Sequence, residues 1–127
     1  MTPDTPNSPA VVQPPIDPRA LEALRELGGA DEPDLLLQLI EIYLGDAPRR
    51  LAEIRTALVG GDWDTLERAS HSLKSSSASI GAQLLASCCS QIEEIARQRR
   101  PDGLVELVAT SESCWPAVES ALRAVRA

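Results

Sequence analysis

Aromatic residues are nearly missing from this chain of 127 residues: there is no phenylalanine, one tyrosine (Tyr43) and two tryptophans (Trp63, Trp115). Hydrophobic residues make up 43% of the chain but aromatics only 2%, so the core must be aliphatic, which favours helices over sheet. No apolar run approaches the roughly 20 residues of a membrane span. No charged-then-apolar leader opens the chain, and a cytoplasmic protein without membrane contact is expected. Basic residues are outnumbered, and a formal charge of −7 argues against nucleic acid, whose phosphates need a basic surface. A Gly-rich phosphate loop, strand-like alternation and internal repeats are all lacking, so the chain has no nucleotide site and is no kinase. An odd number of cysteines (Cys88, Cys89, Cys114) without an export signal indicates free thiols in a reducing compartment. Adjacent Cys88 and Cys89 would point about 100° apart on a helix. With one histidine in the chain, no metal site and no resident cofactor are expected.

What the chain does hold is concentrated between Ala69 and Ala82, where its single histidine, His71, and its single lysine, Lys74, stand three residues apart. Positions i and i+3 are neighbours on a helix surface. At about 100° per residue, Leu66, Ala69, Leu73, Ser76, Ser77 and Ile80 gather on one side. His71 lies almost opposite, with Glu67, Lys74, Ser75 and Ala78 around it. A lone histidine is more often structural than reactive. An outward imidazole beside a fixed cation, on a face of small residues, is instead what a transient phosphoryl group needs: the ring attacks and the cation offsets the arriving charge.

In chain order, residues 1–15 are Pro-rich and read as a disordered tail or linker. Residues 16–127 read as one helical domain. Asp17 and Pro18 open a short first helix that Gly28-Gly29 stops. A second helix starts near Pro33 and runs to Gly60-Gly61, with a kink expected near Gly45–Pro48. Asp62 caps the third, His71-bearing helix, which ends near Gly81, and Trp63 is expected at a helix contact. The fourth follows at once, with Leu84, Leu85, Cys88, Ile92 and Ile95 on its core side, and Pro101 and Gly103 end it. A last helical stretch runs from Leu104 towards Val125, with a kink or break expected around Cys114–Pro116. The fold class is therefore all-α: an antiparallel four-helix bundle with a short additional N-terminal helix.

Two antiparallel helices joined by a turn near Ala82 pair residues whose numbers sum to a constant. This sets His71 level with Glu93, Ser75 with Cys89 and Ala78 with Ala86. Ala82, Ala86, Cys89 and Glu93 then form one flank of mostly small residues beside the histidine, read as an uncluttered docking surface. A carboxylate at Glu93 would accept the Nδ1 proton of His71 and leave Nε2 free to attack.

The run HSLKSSSASIGA resembles the signature of histidine-containing phosphotransfer (HPt) domains, His-x-Leu-Lys-Gly-Ser-Ser followed by a Gly-Ala turn. The similarity extends over about residues 16–97. The resemblance implies a relay in two-component signalling: His71 takes a phosphoryl group on Nε2 from the aspartyl phosphate of a receiver domain and passes it to another. Lys74 is the point cation that offsets the phosphate charge, the Ser75 hydroxyl is a donor to it, and the resemblance agrees with Glu93 as the orienter of the ring, at a spacing where the family has Gln or Glu. Magnesium would be held by the receiver. Ser75 departs from the family's Gly, which leaves room for phosphate and partner. Arg68, Ala78, Ala82, Ala86 and Cys89 are the expected partner-binding residues, and the protein is expected to act as a monomer. The alternative is a helical module that only binds a receiver or another helix and does no chemistry.

Overall fold

Asp17 accepts a hydrogen bond from the amide of Arg19, and Pro18 supplies a first turn with its φ already set, so α1 (Pro18–Gly28) starts where both signals coincide. The computed structural model describes residues 14–126, so the Pro-rich stretch 1–15 lies outside the described residues except for Pro14 and Pro15. Next come α2 (Leu35–Gly60) and α3 (Trp63–Ile80), the latter capped by the Asp62 carboxylate, which accepts from the Thr65 amide at 3.1 Å. After the turn at Gly81 and Ala82 come α4 (Gln83–Gln98) and α5 (Leu104–Arg126). There is no strand among the described residues, and no helix there is long and apolar enough to cross a membrane.

The packing closes a ring: α2 on α3, α3 on α4, α4 on α5, and α5 back on α2, with α1 lying against α2 and α3. This is the expected antiparallel four-helix bundle with a short additional helix. Its centre is aliphatic, with Ile40, Ile54, Leu66, Leu73, Leu85, Ile92, Val108 and Leu122 fully buried. Tyr43 is the one deeply buried aromatic; its hydroxyl lies 2.7 Å from the Ser77 hydroxyl, and its ring meets Trp115 at a centroid distance of 5.6 Å. Trp63 is half-buried against the core. The buried serines follow the rule that interior hydroxyls find partners. Ser70 donates to the Leu66 carbonyl and Ser111 to the Val108 carbonyl, each at 2.7 Å.

Three expectations about these helices change. Pro116 does not break α5, which runs continuously across it as α2 does across Pro48, and both prolines face solvent. On α3 the buried side takes in Ser70, while Ser76 is only half-buried, because α3 has a neighbour on each flank and its buried sector is wide. On α4, Leu84 is 51% exposed and Ile95 half-buried, whereas Cys89 and Ala96 are inside. Contact with both α3 and α5 turns the α4 core face towards the gap between them. The three cysteines are free thiols, and burial pushes Cys89 up to about 12.

Gly81 fixes how α3 meets α4. It closes α3 with φ +93, a left-handed conformation that favours glycine. Its carbonyl accepts from the Asp17 amide at 2.9 Å, and an added Cβ would stand 2.9 Å from both the Asp17 carbonyl oxygen and Ala20 Cβ. The start of α1 thus rests on the α3–α4 turn, which leaves no room for a side chain there.

Candidate functional site

The tight turn sets the register that brings His71 and Glu93 together. His71 stands in the middle of α3 with its side chain 59% exposed, and its Nδ1 lies 2.9 Å from Glu93 Oε2 on α4. Nε2 carries no protein partner among the described contacts, and His71 lines a shallow groove with Glu67, Arg68, Ser72 and Glu93. Nδ1 bonded to a carboxylate is the protonated nitrogen, so the lone pair is on Nε2.

Glu93 is the most heavily engaged side chain of the site. It is only 7% exposed, and it takes three partners. Lys74 Nζ lies 2.6 Å from Oε1, while Oε2 receives the Arg97 guanidinium at 3.0 Å as well as His71. Burial pushes the Glu93 carboxyl up, but hydrogen bonds from Lys74 and His71 outweigh it and hold the group below the usual carboxylate range. Arg97 reaches further, to Glu94 at 2.5 Å and to Glu67 on α3 at 3.5 Å. Arg68, one turn before His71, is exposed and contacts only the Thr65 hydroxyl at 3.4 Å among the described residues. No group of three His, Cys, Asp or Glu side chains is placed to hold a metal ion among the described residues.

The residues singled out from the sequence divide into two sets. His71, Lys74 and Glu93 converge. Ser75 is exposed one turn after His71, and Arg68 and Ala78 are also on the surface. Ala82, Ala86 and Cys89 do not form the docking flank expected of them: Ala82 and Cys89 are 0% exposed and Ala86 7%. Their small side chains let α3 and α4 approach closely, and that approach covers them. Sequence reasoning missed Arg97 as a site residue. It stands four residues after Glu93, where helix side chains meet.

Elsewhere on α3, Ser76 and Ser79 border a second, small apolar groove with Leu24 of α1 and Leu39 and Ile42 of α2. Ile42 is 66% exposed.

A family model described as Hpt domain matches residues 38–127. The chain belongs to the Hpt domain family. Among curated proteins, this Hpt chain is 31% identical over 87 residues to histidine-containing phosphotransfer protein 1 of rice (Oryza sativa subsp. japonica), covering 67% of this chain and 59% of that protein. It is 28% identical over 92 residues to multistep phosphorelay regulator 1 of Schizosaccharomyces pombe, covering 72% of this chain and 31% of that protein. The chain therefore spans about three-fifths of the rice relative and about a third of the yeast one. The Hpt fold also matches solved structures. The crystal structure of histidine-containing phosphotransfer protein B from Pseudomonas aeruginosa PAO1 superposes with a TM-score of 0.80 at 30% identity, covering 91% of this chain and 96% of that one. The maize protein ZmHP2 gives 0.73 at 25% identity, covering 89% and 83%.

Proposed function

We propose that this Hpt domain is a phosphoryl carrier in a two-component phosphorelay, moving a phosphoryl group between receiver-domain aspartates by way of His71. One observation carries the reading: His71 is exposed in mid-helix with Nδ1 held by a buried carboxylate, which leaves the Nε2 lone pair free and aimed outward. That lone pair attacks the phosphorus of a receiver's aspartyl phosphate. The N–P bond forms as the O–P bond breaks, and the electron pair of the broken bond stays with the aspartate carboxylate. The ring keeps its Nδ1 proton and becomes cationic, and Glu93 balances that charge. Attack by a second receiver's aspartate on the same phosphorus returns the lone pair to Nε2.

Lys74 supplies a point cation on a flexible stem for the phosphoryl oxygens, and Ser75 a hydroxyl donor. In this reading the receiver brings its own magnesium, and the protein works as a cytoplasmic monomer. The receiver covers His71 together with Arg68, Ser75 and Ala78, all exposed on α3, and the exposed Ile42 of α2 offers apolar contact.

The test is incubation with a phosphorylated receiver followed by chemical typing of the label. Acid-labile, alkali-stable label on the parent and none on His71→Gln is the expected result. His71 is one of three partners of the buried Glu93 carboxylate, so melting curves of both proteins check that each is folded under the assay conditions. Label retained by His71→Gln places the acceptor elsewhere. A parent that binds the receiver without taking label is the binding module without chemistry.

A further inference from the structure

Lys74 is not free in the resting protein. Its ammonium is 2.6 Å from Glu93 Oε1, and a cation bound there is not on the phosphoryl group. For Lys74 to move to phosphate oxygens on Nε2, it must leave a carboxylate that is almost fully buried. A buried charge stripped of its cation is costly, and the cost rises when a phosphoryl group brings further negative charge alongside. Phospho-His71, cationic through its retained Nδ1 proton, offsets part of that cost but reaches Glu93 through a single hydrogen bond. The site holds one more cation on that carboxylate. Arg97 donates to Oε2 at 3.0 Å from the next turn of the same helix, and its remaining guanidinium nitrogens are anchored on Glu94 and Glu67. The guanidinium thus has three carboxylate partners where Lys74 has one, and it binds Oε2 while Lys74 binds Oε1.

We infer that Arg97 is a positioning residue that holds the charge of Glu93 while Lys74 exchanges from that carboxylate to the phosphoryl group on His71. This rests on the carrier role proposed above. Without Arg97, Glu93 retains Lys74, and the phosphoryl group meets His71 without its cation. Arg97 therefore acts through Glu93 and Lys74 and touches no reacting atom.

Because the chain has one lysine and one histidine, both can be watched as single signals. The full chain labelled with 15N at the lysine Nζ and the histidine ring is loaded with phosphoramidate, and transfer from a phosphorylated receiver is timed separately. In the parent, loading is expected to shift the Lys74 Nζ signal as it leaves Glu93. In Arg97→Ala that shift is expected to shrink, with transfer roughly three- to ten-fold slower. The deciding comparison is the same substitution in the Glu93→Gln background. A neutral amide does not hold Lys74, so Arg97→Ala should leave the rate of Glu93→Gln as it was.

An equal loss in both backgrounds would make Arg97 a purely structural tie between α3 and α4 and overturn the inference. So would an Arg97→Ala protein whose Lys74 signal moves as in the parent. If the parent itself takes no phosphoryl group from either donor, it is the carrier role that fails. Melting curves of all four proteins check that each is folded under the assay conditions.

Discussion

Glu93 and Glu112 are both carboxylates that receive a cation from a neighbouring helix, and they are built for different work. Glu112 on α5 takes the Arg55 guanidinium of α2 through two parallel bonds, at 2.9 and 2.5 Å. Both side chains are well exposed, at 36% and 42%. Water screens that pair, and it has one partner to lose. Glu93 is 7% exposed and shared among a histidine, a lysine and an arginine. The first arrangement ties two helices together. The second holds a negative charge beside an imidazole and shares its compensation among three partners. Burial and the number of partners separate a carboxylate that fastens from one that tunes a neighbour, since the residue types are the same.

The largest expected effect tests that difference directly. Lys74→Met leaves Glu93 buried with one cation and one imidazole, and we expect a loss of about 1–3 kcal/mol in denaturant unfolding. Transfer from a phosphorylated receiver should fall with it. Arg55→Met breaks the exposed tie and should cost less than about 1 kcal/mol, with transfer unchanged. Equal destabilisation by the two would erase the distinction.

Acid sharpens it further. The Arg55 guanidinium holds Glu112 below the usual carboxylate range. For Glu93, burial pushes upward and the Lys74 and His71 hydrogen bonds prevail, so it too is held low. A group whose folded-state value is depressed binds fewer protons folded than unfolded in that window. Its stabilisation is complete above the ordinary value of about 4.3 and is lost as pH falls through the folded-state value. Unfolding midpoints measured from pH 6 down to the acid transition should therefore flatten on Glu93→Gln and on Glu112→Gln. At Glu93 burial works against the depression, so its low hydration adds nothing to the slope. An unchanged slope on either substitution would contradict the depression assigned to that carboxyl.

Much of the Glu93 site is legible in the sequence because one short turn fixes it. A two-helix hairpin closed at Gly81-Ala82 leaves a single register, and counting outward from it meets Glu93 opposite His71, as the 2.9 Å contact shows. The caps at Asp17 and Asp62 are local chemistry and are equally readable. Small residues are not. Ala82, Ala86 and Cys89 write the same pattern for an open docking surface and for a tight helix contact, and only the burial of the α3–α4 seam decides between them. Arg97 was hidden for a related reason. An i, i+4 pair of Glu and Arg is usually a solvated surface pair worth a few tenths of a kcal/mol, and it gains weight only once Glu93 is known to be buried.

The smallest expected effect concerns Ser75, which touches neither carboxylate tie and so serves to separate crowding from charge. Ser75 is exposed one turn beyond His71, on the side from which a receiver would approach, at the position where the family's signature has glycine. Its side chain would stand beside a phosphoryl group carried on His71, and its hydroxyl would be able to donate to that group, so the two effects oppose each other. Glycine in a helix interior costs up to roughly 1 kcal/mol relative to a good helix former, and serine is itself only a middling one, so Ser75→Gly should lower the melting temperature slightly. Removing the side chain should speed transfer from a phosphorylated receiver. The effect should be modest, because the charge that meets the phosphate is set by Lys74, Arg97 and Glu93, all untouched. Timed transfer and a melting curve on the same preparation decide the matter. Slower transfer would mean that the Ser75 hydroxyl helps the phosphate more than its bulk obstructs the partner. A change as large as that of Lys74→Met would mean that access to His71, and not the charge held on Glu93, governs the rate.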